Sequence, residues 1–153
     1  MANKSVIVDE VDPSTAFQAL ISDPTTCLID VRTEAEWQIV GVPDLTEAGK
    51  QVGFVQWVQG LDRRENPNFL DEVQKTLSNG AEGRLFFICR SGMRSLAAAH
   101  AVAEVLAAKA ARPDGGPVHC TNIAEGFEGC RHPMAPAGPA SGWKERGLPW
   151  CQR

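Results

Sequence analysis

The chain has 153 residues, of which 43% are hydrophobic and 22% charged, and its formal net charge is −4. That profile is of a globular chain with enough length for one buried core, and it excludes a disordered one. A mildly acidic balance argues against nucleic acid or an anionic membrane surface as partner, so any basic chemistry must be local.

The order of elements follows from the apolar runs. Val6-Ile7-Val8 reads as a short strand. Before it, Met1-Ala2-Asn3-Lys4-Ser5 is too short and too soon followed by Asp9 and Glu10 to be a secretory signal. No stretch of bilayer-spanning length is free of charge or of Gly/Pro breaks, so the expectation is a cytoplasmic protein without a membrane partner. Asp12-Pro13 predicts an N-cap followed by proline at the first helical position, with Ala16, Phe17, Leu20 and Ile21 on one apolar face. Cys27-Leu28-Ile29-Asp30-Val31 predicts a buried strand. Thr33 with Glu36 three residues later has the form of a capping box and predicts a short helix. Residues 40–50 read as loop, 53–58 as a strand, and Asn66-Pro67 as the opening of a helix carrying Leu70, Val73 and Leu77, ended by Asn79-Gly80.

Arg84-Leu85-Phe86-Phe87-Ile88 is apolar at consecutive positions, as a central parallel strand covered on both faces would be. Ser95 to Lys109 predicts a helix that is apolar nearly all round and therefore largely buried. Val118 to Ile123 predicts a last strand, residues 130–142 a loop rich in Pro, Ala and Gly, and Trp143 and Trp150 two anchors that pack back on the body. Strands alternating with helices predict an α/β fold, with a central, mainly parallel sheet flanked by helices on both faces. No repeat or boundary divides the chain, so residues 1–153 read as one domain.

The chemistry is expected in Cys89-Arg90-Ser91-Gly92-Met93-Arg94-Ser95, between the strongest strand and a helix. In open α/β sheets, sites form beyond the carboxyl ends of strands. A short loop entering a helix turns backbone N–H groups toward one point, and that cradle favours an anion. A helix N-terminus and nearby cations such as Arg90 and Arg94 favour a thiolate, the nucleophilic form of cysteine. Gly92 permits the tight turn. A lone cysteine at a strand end is more often a buried core residue. A structural turn, however, has no need of two cations beside a thiol.

These residues, with Leu28-Ile29-Asp30-Val31-Arg32, Glu36-Trp37, Gly41, Asn122-Ile123, Gly126, and Gly142-Trp143 followed by Gly147-Leu148-Pro149, resemble the rhodanese family from about Val6 to Trp150. The resemblance implies a rhodanese-like fold and a thiosulfate sulfurtransferase. Its Cys89 thiolate would take sulfur from a small anionic donor and hold it as a persulfide, then pass it to cyanide or a thiol. Such chemistry needs no cofactor and no metal. Residues Arg90, Ser91, Gly92, Met93, Arg94 and Ser95 would form the anion cradle. The related phosphatases and arsenate reductases use a longer Cys-x5-Arg loop, whereas Cys89 and Arg94 are spaced as Cys-x4-Arg. A rhodanese module that only binds a partner is the third reading, and such modules commonly lack the cysteine.

Other residues carry plainer alternatives. Asp30 and Arg32 read either as part of the same rim or, more simply, as an internal ion pair that fixes loops. Trp37 reads as flanking the pocket or as core. After it the chain departs from the family pattern: the expected histidine is absent, and the loop over residues 38–50 is longer. The five cysteines, Cys27, Cys89, Cys120, Cys130 and Cys151, are odd in number and irregular in spacing, which argues against a disulfide framework. His119, Cys120, Cys130 and His132 match no common zinc spacing. Cys130 or Cys151 is a conceivable resolving thiol, with nothing in the spacing to support it. Asp62-Arg63-Arg64-Glu65 reads as a solvated loop.

Overall fold

The computed structural model describes residues 6–77, 83–108, 118–129 and 141–153. Lys109, Asn79-Gly80 and most of the loop expected at 130–142 lie outside them. Strand β1 (Val6–Val11) leads into helix α1 (Pro13–Ser22), followed by β2 (Cys27–Asp30) and α2 (Glu34–Val40). Strands β3 (Val42–Pro43), β4 (Gly53–Phe54), β5 (Val58–Gln59) and β6 (Arg64–Glu65) precede α3 (Phe69–Leu77). Then come β7 (Leu85–Ile88), α4 (Met93–Ala108), β8 (Val118–Ile123) and β9 (Trp150–Cys151). Five strands form one parallel sheet in the order β1-β8-β7-β2-β4. Among the described residues no helix is long and apolar enough to cross a membrane.

Strand alternation distributes the core over both faces. Leu85, Phe87 and Cys89 point to one side with Ile29 and Val31, against Phe69 and Val73 of α3 and Ala98, Ala99, Val102 and Ala103 of α4. Leu28, Phe86 and Ile88 point to the other, against Ala16, Phe17 and Leu20 of α1 and the fully buried Trp143. Cys89 thus continues the alternation of β7 on the α3/α4 side. Trp150 pairs with Pro43 through β9, and Trp143 meets Phe17 edge-on, so both tryptophans pack back on the body.

The local signals that carry their own hydrogen bonds appear as expected. The Asp12 carboxylate accepts from the Thr15 N–H at 2.7 Å, with Pro13 next to it at the start of α1. Thr33 and Glu36 close a complete capping box on α2.

Several boundaries differ. The run 53–58 is not one strand. Only Gly53–Phe54 joins the sheet, beside β2, and Val58–Gln59 turns away to pair antiparallel with Arg64–Glu65. Residues 62–65 are therefore the turn and returning strand of a hairpin, and all four are exposed, as the solvated-loop reading expected. The hairpin base is held by tertiary contacts that no local pattern announces. The Asn66 N–H donates to the Trp57 carbonyl, its side-chain amide donates to the Gln56 carbonyl, and Trp57 packs edge-on against Phe69. Helix α3 starts at Phe69 rather than Pro67, and α4 at Met93 rather than Ser95. Helix α4 is also not buried all round: Ala97, His100, Glu104 and Ala108 are exposed, since one sheet covers only one side of an outer helix. Ile21, expected on the apolar face of α1, is exposed at 37%.

Candidate active site

Cys89 directly follows β7 and is itself 1% exposed. Its Sγ accepts the Gly92 N–H at 3.1 Å and lies 3.2 Å from the Ser95 hydroxyl oxygen. Ser95 also bonds to Oδ1 of Asn122 on β8. The Asn122 amide group donates to the Gly92 carbonyl at 2.9 Å and to the Glu10 carboxylate at 2.8 Å. Those two acceptors fix which end of the amide faces Ser95. Asn122 therefore holds the turn of the cysteine loop and the start of α4 together, at the carboxyl end of the parallel sheet.

A second loop closes on the first. The N–H groups of Phe127 and Glu128 donate to the carbonyls of Cys89 and Arg90 at 2.8 and 2.9 Å. Gly126 makes this approach possible. Its φ is +67°, and a Cβ there would stand 2.5 Å from the Arg90 carbonyl and 2.6 Å from the Cys89 oxygen. Gly126→Ala should therefore cost about 2 kcal/mol through the left-handed backbone and the backbone clash, and it should displace the cysteine loop. Urea unfolding and the rate of Cys89 modification would check both effects; an unchanged midpoint would refute the close packing.

Arg94 and Glu36 form a two-pronged ion pair at 2.8 and 2.9 Å, which clamps α2 to the first turn of α4. Burial alone would raise the Glu36 carboxyl. The hydrogen bonds and charge of Arg94, with further bonds from Thr33, outweigh it and bring the group from 4.5 down to about 2. A carboxylate lowered by folding stabilises the fold above its ordinary value, and that contribution is lost as pH falls from 4.5 toward 2. Wild type should accordingly lose more stability across this window than Glu36→Gln. Parallel slopes of unfolding midpoint against pH for the two proteins would contradict the clamp.

The sulfur adjoins an open cleft of about 1130 Å³, lined by Cys89, Arg90, Ser91, Met93 and Arg94 of the loop. Across from them stand Glu34, Ala35, Glu36 and Val40, and residues of the β5–β6 hairpin. Arg90 is two-thirds exposed and pairs with Glu128 at 3.4 Å. Both loop arginines thus share their charge with a carboxylate.

The other expected residues fall into place around this cleft without lining it. Asp30 and Arg32 are fully buried and form an internal ion pair at 2.6 Å. Arg32 also donates to the Gly41 carbonyl at 2.9 Å and lies over the Phe127 ring at 4.2 Å, so the pair ties three loops together. Trp37 is on the core side of α2, edge-on to Phe54 at 5.1 Å. In the segment 38–50, β3 receives β9, and the Lys50 ammonium bonds the carbonyls of Leu20 and Asp23 at the end of α1.

Of the other thiols, Cys120 is pushed up to about 12 by burial and then by the charge of Asp9, and burial raises Cys27 as well. Both favour the protonated, unreactive form. Cys151 is exposed on β9, and Cys130 and His132 lie outside the described residues. His119 faces the Asp9 carboxylate at 3.0 Å, and among the described residues no three His, Cys, Asp or Glu side chains are grouped to hold a metal.

Sequence reasoning gave no role at the site to Asn122, Glu128 or the hairpin, and it read Glu36 as a helix cap and as part of the matched Glu36-Trp37 pair, with no partner assigned. The Asn122-Ile123 match within the resemblance was the available signal for Asn122. For the pairings of Glu36 and Glu128, which join residues distant in sequence, there was none.

No family model matches the chain. An uncharacterized RP600 homolog of Rickettsia rickettsii is 33% identical over 143 residues, covering 94% of this chain and 97% of the relative. The crystal structure of Rv0390 from M. tuberculosis is 36% identical, covers 96% of this chain and 99% of that one, and superposes with a TM-score of 0.74. The polysulfide-sulfur transferase homodimer of Wolinella succinogenes shares the fold at 19% identity and a TM-score of 0.52, over 97% of this chain and 80% of that one.

Proposed function

The chain belongs to the family of the R. rickettsii RP600 homolog and of Rv0390, its fold is rhodanese-like, and from that premise we propose that it is a sulfurtransferase carrying sulfane sulfur on Cys89. The observation that carries the reading is the setting of one sulfur atom. Cys89 Sγ lies at the carboxyl end of a central strand, beside a cleft, with the Gly92 N–H donating to it and the Ser95 hydroxyl in contact. These are the contacts that would stabilise a sulfur anion, as an oxyanion hole stabilises oxygen.

In the first half-reaction the Cys89 thiolate attacks the outer sulfur of thiosulfate. The S–S bond of the donor breaks, sulfite leaves with the electron pair, and Cys89–S–S⁻ remains. In the second, cyanide or a thiolate attacks the outer sulfur of this persulfide and regenerates the Cys89 thiolate. Both steps are redox-neutral displacements at sulfur, with ping-pong kinetics expected. Arg90, Ser91, Met93 and Arg94 border the path of the donor. The short Cys-x4-Arg loop favours this reading over phosphoryl transfer, which needs room for a tetrahedral group.

Intact mass of the reduced protein before and after thiosulfate, with peptide mapping, tests the proposal. A gain of one sulfur atom on Cys89, removed by cyanide, is expected. No gain, with hydrolysis of a phosphate ester, would replace it by the phosphatase reading.

A further inference from the structure

The Ser95 hydroxyl faces two acceptors with one proton to give. Oδ1 of Asn122 stands 2.5 Å from it and Cys89 Sγ 3.2 Å. The donor end of the Asn122 amide is taken up by the Gly92 carbonyl and the Glu10 carboxylate, so Oδ1 can only accept. The shorter contact therefore holds the Ser95 proton, and the hydroxyl oxygen turns its lone pairs toward sulfur. A thiol fits that arrangement, because its S–H donates to the oxygen. A thiolate does not. Either lone pairs face a negative sulfur, or Ser95 turns its proton to the sulfur and leaves Oδ1 of Asn122 without a donor. Ser95 and Asn122 are fully buried, so bulk water relieves neither arrangement.

The charged groups around the sulfur are held in pairs and leave this competition in place. Arg94 acts on Cys89 by its charge while bonded to Glu36 of α2. Arg90 pairs with Glu128 of the loop after β8, and Asp30 of β2 with Arg32. Glu34, Arg63 and Arg64 belong to the other walls of the cleft. Glu10 of β1 bonds the Asn122 amide and, by polarising it, strengthens Oδ1 as an acceptor.

We propose that Asn122 is a positioning residue that acts through Ser95 to disfavour the Cys89 thiolate relative to the Cys89 persulfide. In the persulfide the negative charge sits on the outer sulfur and Sγ is a neutral bridging atom, so Ser95 keeps its bond to Asn122 without conflict. The inference rests on the sulfurtransferase reading of Cys89 and deepens it: the network retains the bound sulfur. When cyanide attacks the outer sulfur, the S–S bond breaks, thiocyanate forms, and Cys89 departs as a thiolate with the electron pair. A thiolate that its surroundings disfavour departs more slowly.

The test follows two readouts on the full chain: iodoacetamide alkylation of Cys89 against pH, and single-turnover release of thiocyanate from the loaded protein with cyanide. Asn122→Ala frees the Ser95 proton for sulfur. Its alkylation midpoint should fall by about one pH unit. Thiocyanate release should quicken about threefold, on a Brønsted slope near one half. Asn122→Ala also removes the bond to the Gly92 carbonyl, so Ser95→Ala and the double variant complete the cycle. In the Ser95→Ala background, Asn122→Ala should no longer lower the midpoint or quicken release. Glu10 is exposed, and Glu10→Ala should give the same signs at smaller size, while Glu10→Gln, which keeps an acceptor for the amide, should restore the wild-type profile. A midpoint unchanged or raised in Asn122→Ala, or lowered equally without the Ser95 hydroxyl, would overturn the assignment. If Asn122→Ala does not fold, an unchanged midpoint in Glu10→Ala overturns it instead. If thiosulfate places no sulfur on Cys89, the sulfurtransferase reading falls and the retention role with it, whereas the alkylation profiles still decide which acceptor holds the Ser95 proton.

Discussion

Cys89→Ser is expected to reduce sulfur transfer to below about a thousandth of wild type and to abolish the sulfur-mass gain on thiosulfate treatment. A serine hydroxyl at this position keeps the size of the side chain and can still accept the Gly92 N–H, so the fold should survive. What is lost is an atom able to form and break a bond to sulfur near neutral pH. The internal controls are the other cysteines. Cys120 is fully buried and pushed up to about 12, and Cys27 is raised by burial. Cys151 is exposed but lies on β9, outside the cleft lining. Cys151→Ser should leave most of the activity. Full turnover in Cys89→Ser, measured as thiocyanate released from thiosulfate and cyanide, would remove Cys89 from the mechanism.

Asp30→Ala should be the most damaging substitution outside the loop, at about 3–5 kcal/mol of unfolding free energy. Asp30 and Arg32 are both completely buried, and the carboxylate takes hydrogen bonds from Nε, Nη2 and the backbone N–H of Arg32. Removing it leaves an unpaired guanidinium without water. The double replacement Asp30→Leu with Arg32→Met should cost less than Asp30→Ala alone, because the penalty comes from the orphaned charge more than from the lost pair. Urea unfolding of the single and double variants separates these contributions. A double variant no more stable than the single one would mean that the lost contacts of Arg32 to Gly41 and Phe127 dominate instead.

How far local sequence reached is visible in particular elements. The Asp12 cap with Pro13, the Thr33–Glu36 capping box, the β7 run and the cysteine loop all appear where the residues announce them. Each is a short-range event, completed within a few residues of chain. The expectations that failed depended on what lies opposite. Ile21 is apolar at helical spacing, yet no layer covers it. Gly53 to Val58 has strand character throughout, but β2 offers pairing only to its first residues, and the rest folds against β6. The two arginines of the loop were read as positive charge beside the thiol, and each shares that charge with a carboxylate brought from elsewhere.

Sequence alone determined the alternation of strand and helix, the central position of β7, and the cysteine at the entrance to α4. Periodicity, capping and turn chemistry are encoded within short windows and need no partner. Tertiary structure alone decided that Asn122 orients Ser95 and Gly92, that Glu36 clamps Arg94, and that a hairpin brings Arg63 to the cleft. Those are pairings between residues far apart in the chain. Charge matching and burial depend on which surfaces meet, and that is settled only when the sheet has gathered its loops at one end.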